Sequence, residues 1–279
     1  ISYSTITASA ADVIALHVAN SSSNTITQNY ISNPAGLGLF FNTSSSNTVS
    51  YSTITVNNAN NNAMGLGVST FNTITQNYIS NPSGTALTLN DNSNSNTVSY
   101  STITSNAAGY NALELIISSS NTITQSFLDN PAGPVINFNT SNNNTVSYST
   151  ITSNGAGALT VHVLTSSSNT ITQSYIYNPA SYGIIFNGSQ NNTVSYATVR
   201  NDTAAFAAVT LLGSSTFNVV TQSFIHNPYG TAVSIQSGAD NNTISLSTAT
   251  GANANAAVTI SAASSHTFSN SYLQGYTAA

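Results

Sequence analysis

One motif close to N-T-[IV]-[TS] returns along the whole chain, and its period restricts the possible folds more than any other feature. Its first residue is Asn24, Asn47, Asn72, Asn96, Asn121, Asn144, Asn169, Asn192, Asn218 and Asn242, with His266 in the last copy, at spacings of 23 to 26 residues. A repeat of this length accommodates three short strands and three turns, whereas the common helical repeats are longer and rich in Leu, Lys and Glu. Residues within each copy alternate with the period of a strand: Ile26 and Ile31 face inward, Thr25, Thr27 and Tyr30 outward. A short apolar run, such as 36–41 or 112–117, forms the third side. Asn-Pro followed by Gly, or a run of Ser and Asn, turns the corner. The expected fold is all-β: a single right-handed parallel β-helix spanning residues 1–279, with about eleven coils of about 24 residues, three strands per coil and no cap evident at either end.

Two coil types alternate, one reading N-T-I-T-Q-[NS]-[YF]-[IL]-x-N-P from Asn24 and the other N-T-V-S-Y-[SA]-T-[IV]-[TR] from Asn47. Stacked coils place equivalent residues about 4.8 Å apart. The repeat asparagines are then expected to form a buried corner ladder, each amide bonding its neighbours above and below. The repeated N-T-I-[ST]-x-N pattern, with an apolar strand after each turn, resembles the NosD-like and carbohydrate-binding/sugar-hydrolase branch of right-handed parallel β-helix proteins, which is similar in fold to the pectate lyases. The resemblance implies the fold. Function has to be argued from sites, because one scaffold hosts many activities.

Only 3% of the residues are charged, so the surface is covered by Asn, Ser, Thr and Gln. Arg200 is the whole cationic inventory, which excludes nucleic acid and anionic membrane surfaces as expected partners. No run of about 18 apolar residues offers a membrane span. Cysteine is absent, so no thiolate chemistry is expected. Sequons begin at Asn20, Asn42, Asn139, Asn143, Asn187, Asn191, Asn201 and Asn241, positions for N-glycosylation if the chain is secreted.

Paired carboxylates for hydrolysis are not apparent: Asp12, Asp91, Glu114, Asp129, Asp202 and Asp240 fall on different coils and at different places in the repeat. The resemblance implies that lyases of this fold would use acidic Ca²⁺ ligands and a basic side chain, but Arg200 beside Asp202 reads as a local surface pair. His17 and His162 share one place in the repeat with Gly65, Glu114 and Leu211, an outward position six coils apart for the two histidines; His226 and His266 have no ligand partner at metal spacing. No catalytic residue, cofactor or metal is expected.

Two outward arrays remain. One is the T-x-[TS] pattern, Thr25 with Thr27 through Thr243 with Ser245, which is similar to the hydroxyl face of ice-binding solenoids. The other is aromatic: Tyr30, Tyr78, Phe127, Tyr175 and Phe224 in one coil type and Tyr51, Tyr100, Tyr148 and Tyr196 in the other, a contact stripe running up the rod. Ile1 enters in mid-motif and the chain stops after the motif from His266 to Tyr276, so end-to-end stacking preserves the coil alternation. The expected function is a non-enzymatic extracellular or cell-surface fibre or sheath subunit that self-associates into filaments, with glycans or the cell envelope as further partners. The alternatives are an ice-binding solenoid or a glycan-binding adhesin fragment.

Overall fold

The computed structural model describes residues 1–252 and 256–275, and Tyr276 lies outside them. Among the described residues three parallel sheets run along a right-handed solenoid, one of twelve strands and two of eleven. Each strand pairs with the strand three places further along the chain, which is the connectivity of a three-sided coil. No helix occurs among the described residues.

A single coil shows the plan: Thr73–Thr75 in the first sheet, Tyr78–Asn81 in the second and Leu87–Asn90 in the third. Ile74 lies between Val49 and Val98, Ile79 between Ile54 and Ile103, and Leu89 between Leu66 and Leu115, all fully buried or nearly so. β-branched residues fill the first two sides because their stiff side chains suit a pleated surface. The third side supplies bulk, with Phe41, Phe138 and Phe186 wholly buried. No coil can bury this stripe alone, so stability resides in contacts between successive coils.

The corners explain the polar composition. Asn96 donates its backbone N–H to Asn121 Oδ1 at 2.8 Å, and its amide donates to the same oxygen at 3.1 Å and to the Ser69 carbonyl at 2.9 Å. The pattern runs from Asn24 to Asn242, where His266 Nδ1 accepts the backbone N–H of Asn242 at 3.3 Å. Two further columns that sequence reading missed do the same work. Ser44, Ser69 and Ser93 relay backbone N–H to hydroxyl, and Asn29, Ser52, Asn77 and Ser101 line the next corner. At the third corner the asparagine of Asn-Pro is buried: Asn130 donates to the carbonyls of Ala107, Tyr110 and Pro134 and pins the loop of the preceding coil as well as its own.

The first-to-second corner bends through a residue with positive φ, among them Gln28, Tyr51, Gln76 and Tyr100. A left-handed non-glycine residue costs about 1 to 2 kcal/mol. The bend persists because its amide still pairs with the next coil, as Tyr100 N–H does with the Thr124 carbonyl at 3.2 Å. The same bend leaves Tyr51 exposed between buried Ser50 and Ser52.

Two sequence expectations are corrected here. Asn201 is wholly buried, with its amide donating to the carbonyls of Ser181 and Phe206, so the folded chain offers no glycosylation site there. Leu211 does not share the column of His17 and His162; Thr210 does, while Leu211 packs inward against the column of Phe186. The extra length of that coil, 26 residues between Asn192 and Asn218, shifts the count by one.

Candidate functional site

The outward rings fall in two columns. In the second sheet Tyr30, Tyr78, Phe127, Tyr175 and Phe224 alternate with threonine, Thr53 and Thr102 flanking Tyr78. At the bend before that sheet Tyr51, Tyr100, Tyr148 and Tyr196 alternate with glutamine. Each coil from Asn24 to Asn218 therefore presents one ring, displaced sideways by two residues from the ring of the coil before, and rings within a column recur about every 10 Å, while the coil from Asn242 carries Leu246 at the bend. Exposure runs from 38% at Tyr175 to 58% at Tyr51, and among the described residues no ring pair joins two members of the array. Among the described residues, Tyr175 and Phe224 each carry a stacked neighbour from outside the array, and the other array rings carry none.

Around Tyr175 and Phe224 the array widens. Tyr177, Arg200 and His226 follow one another on the same outward column of three successive coils. Tyr177 stacks on Tyr175 with centroids 6.1 Å apart, and His226 on Phe224 at 5.5 Å. Arg200 Nε donates to Asp202 Oδ1 at 2.8 Å and Nη2 to Oδ2 at 3.1 Å, while Tyr177 donates its hydroxyl to Oδ2 at 2.8 Å. The guanidinium carbon sits 5.7 Å from the Tyr177 centroid, within cation–π reach. His226 Nδ1 lies 2.6 Å from the Thr250 hydroxyl.

These contacts move the titrations. Burial, the bond to Asp202 and that carboxylate's charge push the Tyr177 phenol up to about 12. Burial opposes ionisation of Asp202, but the bonds from Arg200 and Tyr177 and the nearby positive charges outweigh it and hold its carboxyl below the ordinary value. Burial, then the charge of Arg200, pushes His226 down. Arg200 and Asp202 are thus more than a local pair: they sit at the centre of a four-residue patch flanked by stacked rings. Tyr177, Arg200 and His226 each stand eight residues after a repeat asparagine, and sequence reading missed Tyr177 and His226 as members because each side chain occurs only once at that place.

The family model described as the right handed beta helix region matches residues 1–128 and 111–273. The chain belongs to this right-handed β-helix family. No curated protein sequence matches it. Among solved β-helix structures it is similar to the Dettilon tailspike protein, with a TM-score of 0.70 and 14% identity over 92% of this chain. The chain spans 55% of that protein's length. It is also similar to an alginate lyase from Paenibacillus sp. str. FPU-7, with a TM-score of 0.52 and 12% identity, covering 92% of this chain and 99% of that one. PfbA, a surface adhesin of Streptococcus pneumoniae, matches with a TM-score of 0.51 and 10% identity, covering 97% of this chain and 78% of that one. At such identities the likeness extends to the fold alone.

On the β-helix surface Asp129, Asp202 and Glu114 stand apart. Asp129 and the Arg200 strand beside Asp202 are three coils apart in the second sheet, about 14 Å, and Glu114 lies on the third sheet. No group of three or more His, Cys, Asp or Glu among the described residues is arranged to hold a metal. No helix among them is long and apolar enough to cross a membrane. The T-x-[TS] array lies on the first sheet, but its second column is paired within itself. Ser50, Ser99, Ser147, Ser195 and Ser245 each donate to the threonine of the neighbouring coil at 2.9 Å, and the first three are buried.

Proposed function

We propose that this chain is a non-enzymatic, extracellular structural β-helix whose aromatic array is a glycan-binding surface, with the Tyr177–Arg200–Asp202–His226 patch as its most selective part. The array of one exposed ring per coil carries this reading. Exposed aromatic faces on a rigid rod provide apolar platforms at fixed intervals, and a sugar ring has apolar C–H faces that suit them. The patch adds donors and acceptors already held in place, so a hydroxylated ligand meets an ordered surface. The names of two fold relatives, a tailspike and a surface adhesin, agree with a role outside the cell. Support for a non-enzymatic role comes from the engaged acids: Asp202 is bonded to Arg200 and Tyr177, Glu114 accepts from Asn137, and Asp129 accepts from Thr152.

Binding of the intact protein to an array of polysaccharides, with product analysis on each, tests both halves. Saturable binding without new reducing or unsaturated ends is expected, and it should fall at least tenfold when Tyr78, Tyr100 and Tyr148 are changed together to serine. Turnover of any bound glycan would refute the non-enzymatic half, and binding unaffected by the triple change would refute the array.

The filament reading is favoured by a different observation: in the middle of the rod successive coils meet through near-identical surfaces, threonine over threonine and asparagine over asparagine. A surface with so few charges opposes such stacking weakly. Electron microscopy with sedimentation at rising concentration tests it; rods that lengthen are expected for a filament, and rods of constant length would end that reading.

A further inference from the structure

Two ladders run side by side along the second sheet. The rings of Tyr30, Tyr78 and Phe127 recur on every second coil, and the exposed Pro34, Pro82 and Pro131 follow each of them by four residues. On the same face Ser32, Thr55, Ser80 and Thr104 form a hydroxyl column on four successive coils, and Asp129 continues it on the fifth.

The tyrosines are tethered to that column by their tips. Thr55 Oγ1 lies 3.4 Å from the Tyr30 hydroxyl and 3.2 Å from Ser32 Oγ. The Tyr78 phenol meets Ser80 and Thr104 in the same way, and those two hydroxyls are bonded to each other at 3.0 Å. These bonds push both phenols down from the ordinary value, against the smaller opposing effect of burial. A ring whose tip is held over the next column lies along the sheet and turns one face outward, and Tyr30 and Tyr78 are 45% and 44% exposed. Pro34 and Pro82 line an open groove of about 250 Å³ together with Tyr78, Thr55, Val56 and Ser80.

The spacing of the ladders selects an occupant. Rings on alternate coils stand about 9.6 Å apart. A polyproline II chain returns to the same face every third residue, about 9.3 Å along, and it has no internal hydrogen bonds, so its carbonyls are free to accept from the hydroxyl column. A strand returns about every 6.7 Å and a helix about every 5.4 Å, and neither keeps step with the rings. The charges agree. From Tyr30 to Thr104 the face carries no ionisable group other than the phenols, whereas Asp129 accepts only a hydroxyl bond from Thr152 and no salt bridge reaches it among the described residues.

We propose that the two ladders bind a proline-rich segment of another protein in the polyproline II conformation, with prolyl rings on Tyr30, Tyr78 and Phe127 and a Lys or Arg beside the last of them paired with Asp129. The proline ladder and Val56 receive the apolar flank of the segment. The inference uses three rings of the aromatic array without resting on the glycan reading, because a rod that takes the peptide and no polysaccharide keeps it.

Fluorescence anisotropy of labelled nine-residue peptides titrated with the intact protein tests it. The probes are P-P-S-P-P-S-P-P-K and its reversed sequence, the same pair with every proline replaced by glycine, and the same pair with glutamate in place of lysine. Saturable binding is expected for at least one lysine peptide, weaker by about tenfold or more without the prolines and by about fivefold or more with glutamate at low salt. Tyr78→Ser is expected to weaken it about tenfold or more. Asp129→Asn is expected to remove the preference for lysine over glutamate, and Phe71→Ser, an exposed ring at another corner, to leave binding intact. Circular dichroism of each variant checks that the coil is kept; Tyr78 and Asp129 both point outward, so neither change empties the core. Absence of saturation with both lysine peptides, equal binding of the glycine peptides, binding unchanged in Tyr78→Ser, or a lysine preference that survives Asp129→Asn would overturn the proposal. Tighter binding by a strand-forming T-V-T-V-T-V-T-V-K peptide would assign the face to strand addition and overturn it equally.

Discussion

The Tyr177 hydroxyl donates to Asp202 Oδ2 at 2.8 Å from one coil to the next, and that carboxylate also receives two N–H bonds from Arg200. Burial disfavours the phenolate first, and a phenol that donates to a carboxylate also loses the bond and gains a repulsion when it ionises; together these push Tyr177 up to about 12. Asp202→Ala should bring it down toward the ordinary value of 10, read by ultraviolet pH titration against Tyr177→Phe. Arg200→Ala should change stability by less than about 1 kcal/mol, because the guanidinium side chain is 43% exposed and solvent screens the pair.

The asparagine column should be far more sensitive. Asn96→Ala removes the acceptor for the backbone N–H and the amide of Asn72, both buried, along with its own amide bonds to Ser69 and Asn121. A loss of about 2 to 4 kcal/mol is expected in denaturant unfolding. Asn24→Ala, at a partly exposed position, should cost less.

Expression in a glycosylating secretory host should separate the sequons by burial. Peptide mapping by mass spectrometry is expected to find glycan at exposed Asn42 and Asn241 and none at Asn201, which is sealed between the Ser181 and Phe206 carbonyls. Occupancy at Asn201 in folded protein would contradict the coil register around it.

Burial pushes His162 down, and burial with the charge of Arg200 pushes His226 down. Between the native values and the ordinary 6.5, the unfolded chain binds more protons than the folded one, so stability rises with pH across that window. The contribution is complete above 6.5 and is lost as pH falls through the native values. Unfolding midpoints between pH 7.5 and pH 5 should show this slope, and His162→Gln with His226→Gln should flatten it. Asp202, also depressed, should add a separate loss in the acid range, below its ordinary 3.8, as pH falls through its native value.

No thermal hysteresis is expected from the threonine face. Ser–Thr hydroxyl pairs alternate up its second column, and the buried serines recess every other coil, so the outer hydroxyls do not form a uniform lattice. Ice shaping that disappears in Thr73→Tyr or Thr122→Tyr would reverse this expectation.

The outward rings and the repeat asparagines were legible because each recurs at a fixed place in a period of about 24 residues, so their neighbours in space are their counterparts one coil away. The serine column from Ser44 to Ser215 was as regular, yet serine is common throughout this chain and the pattern did not stand out. Tyr177, Arg200 and His226 were harder still. Each occurs once at its place in the repeat, so no periodicity marks them.

The sequence by itself determined the coil, because alternating Ile or Val with Thr at this period has one way to bury its apolar face, and it determined which residues turn the corners. Only the tertiary structure decided which unique residues meet. Register between coils depends on small differences in coil length: the 26-residue spacing before Asn218 places Thr210 rather than Leu211 beyond Ile185. A one-residue slip in a strand exchanges its inward and outward faces, so the composition of a surface patch follows from backbone pairing summed along the rod, which no local stretch of sequence contains.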